Sequence, residues 1–362
     1  MMVYLALGLS AVLLTKGATT TDKLSVRRCL WLLAFLVLFI PAALRHDIGV
    51  DYSRYQGYEE LFDIYTSGGS ISEGMDIGFV LLIRVLGLFT QNAQWLFVVT
   101  SAFIIGLVLR ACQKLSPDPT LSVALFLVAG LYLESLNIVR QWMAIACVLN
   151  ALIWIKNDRG MDKIQCFIRY ALWVVVGASF HASALLWLVV YPLFYLPLNS
   201  KRMVAVTLIS TVGLSVCGAW LLPTVAGERF GRYLVAGAGG YASADPHIDS
   251  ILTALVMLLF VCWARWHDKT WDFWSCCLGV CQALGVSLLL SGFFLPAIVD
   301  RVARYFLPLL ILQLPWALTR IENKDLRQAY ALGMVACWLL VTFIRVGLGG
   351  QYGVAPYQWV FV

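Results

Sequence analysis

The chain has 362 residues, 61% of them hydrophobic and only 13% charged, with a mean hydropathy of +0.83. Soluble domains carry about 25% charged residues, so that class is excluded. Continuous rather than alternating apolar runs exclude a transmembrane β-barrel. An all-α polytopic integral membrane protein remains, one membrane domain over residues 1–362, whose net charge of +6 is first a topology signal and not a mark of nucleic-acid binding.

In chain order the apolar runs fall at 2–15, 29–44, 94–111, 120–136, 138–155, 164–180, 182–197, 203–222, 251–266, 274–297, 303–318 and 329–347. No basic region precedes the first, and Lys16 follows it, so it reads as a retained span rather than a secretory signal. All eight lysines (16, 23, 114, 156, 163, 201, 269, 324) lie between or beside the runs. Placing every lysine in the cytoplasm makes the runs alternate without conflict, which predicts about 12 spans with both termini outside. Residues 76–90, DIGFVLLIRVLGLFT, form a short run that carries Arg84. If they spanned, every later loop would invert, so an interfacial or re-entrant helix on the outer face is predicted. The ten cysteines fall in apolar runs or in loops assigned inside, and no CxxC is present, so neither disulfides nor a structural zinc is expected.

Three segments are thereby placed outside: 45–93, 223–250 and the tail 347–362. They contain no lysine, yet arginines are plentiful at or near this face. Arginine stays charged and grips phosphate with two bonds at once. Two readings stand, pairing with the acids of the same face or binding of an anionic ligand.

Five features could carry chemistry. From RHDIGVDYSRYQGYEELF (45–62) into the residues just after it, Tyr52, Tyr55, Tyr58, Phe62 and Tyr65 recur at three- and four-residue steps, one face of an amphipathic helix on the membrane. Such rings anchor at an interface and also suit sugar rings. Asn137, Arg140 and Gln141 stand at i, i+3, i+4 and are predicted to share a helical face, as a polar clamp or a ligand site. His181 alone interrupts the apolar stretch 164–197, at a predicted outer corner, where it is either a general base or a donor to a backbone carbonyl. Arg301, Arg304 and Tyr305 repeat the i, i+3, i+4 spacing, and Arg229 with Arg232 repeats Arg-x-x-Arg. Each arginine pair could hold a pyrophosphate or anchor at the interface. The loop 237–249, rich in Gly, Ala and Asp, is either a lid or a plain connection. No DxD, HExxH, Walker loop, GxSxG or dinucleotide fingerprint occurs, so no cofactor and no metal are expected, and His247 has no histidine partner at ligand spacing.

In order along the chain, Arg45, Gly49, Asp51 and Tyr52 match R-x-x-x-G-x-D-Y. Asn137, Arg140 and Gln141 match N-x-x-R-Q, and Phe180, His181, Ser183 and Ala184 match F-H-x-[ST]-A. With MDIGF and VARYF between and after them, the set resembles the EpsG-like family of bacterial exopolysaccharide polymerases, relatives of the Wzy-type O-antigen and capsule polymerases. Where family members often carry glutamate and proline with an aromatic, this chain reads EGMDIGF, which leaves Glu73 and Asp76 without an inherited role. The resemblance implies a multi-span helical glycosyltransferase of the bacterial cytoplasmic membrane, for which a GT-C-like arrangement is one candidate form. It would join oligosaccharide repeat units carried on undecaprenyl pyrophosphate, both donor and acceptor, at the outer face, with membrane lipid and a chain-length regulator protein as further partners.

On that reading Arg140, Arg301, Arg304 and Arg45 are the pyrophosphate candidates, supported by Asn137, Gln141 and Tyr305. His181 or Asp51 is the base, and Tyr52, Tyr55 and Tyr58 guide saccharide. An O-antigen ligase-like transferase would use the same donor. A transporter or flippase of lipid-linked oligosaccharide would show internal repeats and midplane charges, and polar residues here cluster at span ends instead. A membrane acyltransferase could use His181, but nothing marks an acyl-CoA site.

Overall fold

A computed structural model describes residues 2–50, 52, 75–156, 162–196, 200–225, 251, 255–260, 262–263, 273–293, 295 and 298–361. Among these residues the protein is helical, with one isolated β-bridge, between Arg45 and Trp359. Seven helices are long and apolar enough to cross a membrane, which makes this a polytopic membrane protein. The chain forms two compact units, Met1–Leu185 with Asn323–Val362, and Leu186–Glu322.

In the first unit α1 (Met2–Thr20) packs against α2 (Leu24–Ala43). After α3 (Ile77–Gly87) come α4 (Gln94–Leu115), α5 (Pro119–Val128), α6 (Leu131–Ser135), α7 (Val139–Lys156) and α8 (Lys163–Phe180). Asp118 caps α5 by accepting from Leu121 N–H at 3.0 Å, with Pro119 in the first turn. The last helix of this unit, here called αC (Lys324–Thr342), is capped likewise by Asn323, which accepts from Leu326 N–H at 2.9 Å.

The centre of this unit is α7. Every residue in it except Arg140, Trp154 and Lys156 is buried, because α4 packs on one side and α8 on another. Such a helix is apolar all round, whereas α1, α2, α8 and αC leave apolar side chains outward, as helices bathed in lipid do. Close approach of α7 and α8 depends on Gly177, where a Cβ would sit 3.1 Å from Ala144 O.

Lys16, Lys23, Lys114, Lys156, Lys163 and Lys324 all lie at or next to the helix ends opposite to the end that carries Arg45, Asn137 and His181. The short helix α3 keeps to the latter end. Its N-terminal Asp76 meets Arg140, and the chain returns at Gln94, whose Nε2 donates to Ala43 O. Eleven residues rise about 16 Å, too little to cross the bilayer core. Its length and its place at one end agree with the interfacial or re-entrant helix expected from the charge pattern.

The run 120–136, expected as one span, is two helices. Gly130, at φ +74, breaks it, and Thr342 of αC donates to the freed Val128 O at 2.7 Å.

In the second unit α9 (Leu186–Val190) is followed by a 3₁₀ stretch at Tyr191–Tyr195, then α10 (Ser200–Val225), α11 (Phe273–Ser291), α12 (Ile298–Ala303) and α13 (Leu310–Leu318). Here α11 is the buried centre, packed on α10 and α12. Ser287 donates to Thr207 O at 3.0 Å and meets Ser210 Oγ at 2.6 Å, a hydrogen-bonded seam of small residues between α10 and α11. A cavity of about 20 Å³, lined by Gln282, Gln313, Gly285 and Phe306 among others, lies in the same unit. The expected span 303–318 is interrupted at 304–306, since Pro308 has no N–H and its ring excludes the carbonyl of Arg304 from a regular helix.

Candidate functional site

The polar end of the first unit is built on the loop that follows α2. Arg45 is only 1% exposed. Its Nη1 donates to Ala42 O at 2.6 Å and Ser101 Oγ at 3.3 Å, its Nη2 donates to Leu136 O at 3.3 Å, and the guanidinium lies 4.4 Å above the Phe97 ring. Tyr52 stacks on Phe97 at 4.9 Å and its hydroxyl meets His46 Nδ1 at 3.3 Å. Tyr52 is therefore buried, with Phe97 against its ring, unlike the open sugar platform expected of it. Tyr55, Tyr58 and Asp51 lie outside the described residues, as do Arg229, Arg232, the loop 237–249 and His247.

Asn137 does not share a helical face with Arg140 and Gln141. It sits in the turn between α6 and α7, where its N–H donates to Glu134 O at 2.9 Å. From there Asn137 Oδ1 accepts Val50 N–H at 2.7 Å and Nδ2 donates to Leu133 O at 3.1 Å. Gly49 has φ +106, and a Cβ there would lie 3.1 Å from Asn137 Oδ1. Thus Arg45 ties the loop to Leu136, and Asn137 ties it again at Val50. The two motifs brace one another. Behind them Glu134, also buried, accepts from Trp142 Nε1 at 3.3 Å.

Arg140 is different. Its side chain is 31% exposed and that of Asp76 12%, and their Nη1 and Oδ2 are 4.0 Å apart, the outer limit of an ion pair. The guanidinium also lies 5.9 Å from the Phe79 ring. Asp76 precedes α3, whose Gly78 would place a Cβ 2.7 Å from Ser179 Cβ, so α3 is seated on the end of α8. Gly177 of α8 faces Ala144 of α7 in this antiparallel pair. One turn further toward the polar end stand His181, just after α8, and Arg140 of α7. The fold thus gathers Asp76, Arg140 and His181 at one level.

His181 ends α8, its N–H donating to Gly177 O at 3.0 Å, and its Nδ1 lies 2.6 Å from Ser183 Oγ. Asp76 was not readable as part of this site from the sequence. An aspartate at the start of an apolar helix signals little, and only the return of α3 to the polar end brings it to Arg140.

The C-terminal tail joins the same loop. His46 N–H donates to Gln358 O at 3.1 Å, Gly49 N–H to Gly353 O at 2.9 Å, and Val360 N–H to Leu44 O at 3.0 Å. Tyr357 donates to Pro41 O at 2.9 Å. Burial pushes its phenol up to about 12, with Arg45 pulling the other way.

Arg301 lies in the last turn of α12, and Arg304 and Tyr305 follow the helix in a turn, all in the second unit. The arginines are half-buried and Tyr305 is buried, its N–H donating to Val302 O at 3.1 Å. Because the helix stops at Ala303, these three residues do not form the continuous helical face that their spacing suggests. Gln141 is buried in α7. Among the described residues no three His, Cys, Asp or Glu side chains converge as a metal site.

A model of the EpsG family matches residues 28–359, nearly the whole chain. No curated protein and no solved structure matches it.

Proposed function

The chain belongs to the EpsG family, which supports a polysaccharide-polymerase role of glycosyltransferase type, and from that premise we propose that it joins undecaprenyl-pyrophosphate-linked oligosaccharide repeat units at the outer face of the cytoplasmic membrane. Six lysines at the end of the first unit opposite to Arg45, Asn137 and His181 support the orientation, because basic residues stay cytoplasmic.

One observation carries the assignment. Arg140 is the cation that α7 leaves partly open at its polar end, with the Asp76 carboxylate 4.0 Å away. A phosphate oxygen can replace that contact with a charge-assisted bidentate one. As the C1–O bond to the carrier pyrophosphate breaks, the acceptor hydroxyl forms the new bond to C1. Arg140 balances the charge that collects on the leaving pyrophosphate; Arg301 and Arg304 of the second unit stay phosphate candidates on their sequence pattern alone. The hydroxyl proton passes to His181 or Asp51. No metal or cofactor enters this scheme. Tyr55 and Tyr58 guide the saccharide, while Arg45, Asn137 and Tyr52 hold the loop in shape rather than contacting the ligand.

The test is made in cells that depend on this chain for polymer. Arg140→Ala and Arg140→Lys are expected to reach the membrane at parental level, to lose long polymer, and to accumulate single repeat units on the carrier lipid. Long polymer at normal expression removes Arg140 from the pyrophosphate. Finished polymer left on the carrier in the deletion strain identifies a ligase instead.

A further inference from the structure

Residues 349–361 run back over the loop 44–50, and one residue of this strap is out of place by local rules. Tyr352 has φ +71, a left-handed conformation that a bulky side chain adopts only at a cost. Gly350 and Gly353, at φ +66 and +59, flank it, so glycine is available in this turn where the backbone requires it. A purely structural turn would favour glycine at 352 as well. The position is held rather than loose, since Tyr352 O accepts Val50 N–H at 3.1 Å, one residue before Asp51. Beside it Gln351 Oε1 is buried and accepts no hydrogen bond among the described residues. Such an orphaned acceptor calls for an explanation, and a ligand rich in hydroxyl donors supplies one.

We infer that Tyr352 is a saccharide-contacting residue of the polymerase, presented by the C-terminal strap beside the Arg45–Tyr52 loop, with Gln351 Oε1 as an acceptor for a sugar hydroxyl. This rests on the polymerase reading above. A half-exposed tyrosine offers a flat apolar face and a polar tip, which suits a sugar ring. The backbone strain is then retained for the sake of the ring. No covalent step belongs to Tyr352. It orients the acceptor end or the growing chain, and it acts on specificity rather than on bond breaking.

The strain makes the test clean. Tyr352→Gly removes the ring and relieves the backbone, so the full-length protein in detergent is expected to melt no lower than the parent. In a deletion strain, the ratio of long polymer to single-unit carrier lipid is expected to fall about tenfold with Tyr352→Gly, the size of one lost aromatic contact, and Tyr352→Phe is expected to recover most of that loss. Polymer at the parental ratio with Tyr352→Gly overturns the inference. So does a lower melting temperature for Tyr352→Gly, which makes the residue structural, and so does a Phe variant no better than Gly, which removes the ring from the contact. A parent chain that fails to convert single units into polymer in the same strain overturns the polymerase reading itself, independently of Tyr352.

Discussion

Arg45 and Arg140 stand in neighbouring motifs at one end of the same unit, and the fold treats them in opposite ways. Arg45 is sealed beneath its loop, with three neutral acceptors and a phenyl ring around its guanidinium. Arg140 stands partly open, opposite a carboxylate at the limit of contact. The hydrogen bonds of its Nη1 and Nη2 hold the loop to Ser101 and Leu136, so Arg45 serves the architecture. A charge at a partly exposed edge can exchange partners, which is why Arg140 is the arginine proposed above to meet the ligand. The difference separates a sealed brace from a partly open cation within one polar cluster.

Four substitutions break or sharpen this contrast. The largest stability effect is expected for Arg45→Ala, which strands Ala42 O, Ser101 and Leu136 O and leaves a void. A loss of about 3–5 kcal/mol is expected, read as a lower melting temperature in detergent and less protein in the membrane. Arg140→Ala is expected to leave the melting temperature near parental but to cut polymer formation about 100-fold, as loss of one transition-state donor does. If the two variants exchange phenotypes, the contrast is wrong.

Asn137→Ala should fall between them. It loses the shorter of the two hydrogen bonds of Val50 N–H, the other going to Tyr352 O, with an expected cost of about 1–2 kcal/mol, and polymer output should drop together with loop order, measured by protease protection of the region 44–52. Asp76→Asn is the mildest. Its partly exposed ion pair is worth less than about 1 kcal/mol, so stability should barely move. Polymer output should fall a few-fold if Asp76 orients Arg140. A rise in output would instead mean that the carboxylate competes with phosphate for the same guanidinium.

Much of the helical plan was legible from hydropathy. The runs at 2–15, 29–44, 94–111, 138–155, 164–180 and 329–347 correspond to α1, α2, α4, α7, α8 and αC, because each is long, apolar and bounded by charge. The short helix α3 was legible through its charge context. The break at Gly130 was not, since every neighbour is apolar and a lone glycine is compatible with a continuing helix. Thr342, distant in sequence, satisfies the carbonyl that the break frees. The face shared by Asn137, Arg140 and Gln141 failed for a related reason. Spacing predicts a face only where a helix is continuous, and the helix begins after Asn137.

By itself the sequence determined the class of the protein, most of its helices, the end at which its lysines gather and the family motifs at the opposite end. These follow from composition and from local periodicity, which need no partner. Tertiary structure alone decided which arginine is buried and which is open. It alone brought Asp76 to Arg140 and laid the tail over the loop, placing Tyr352 next to Val50. Each of those depends on solvent access and on contacts between segments far apart in the chain, neither of which a residue's own neighbours encode.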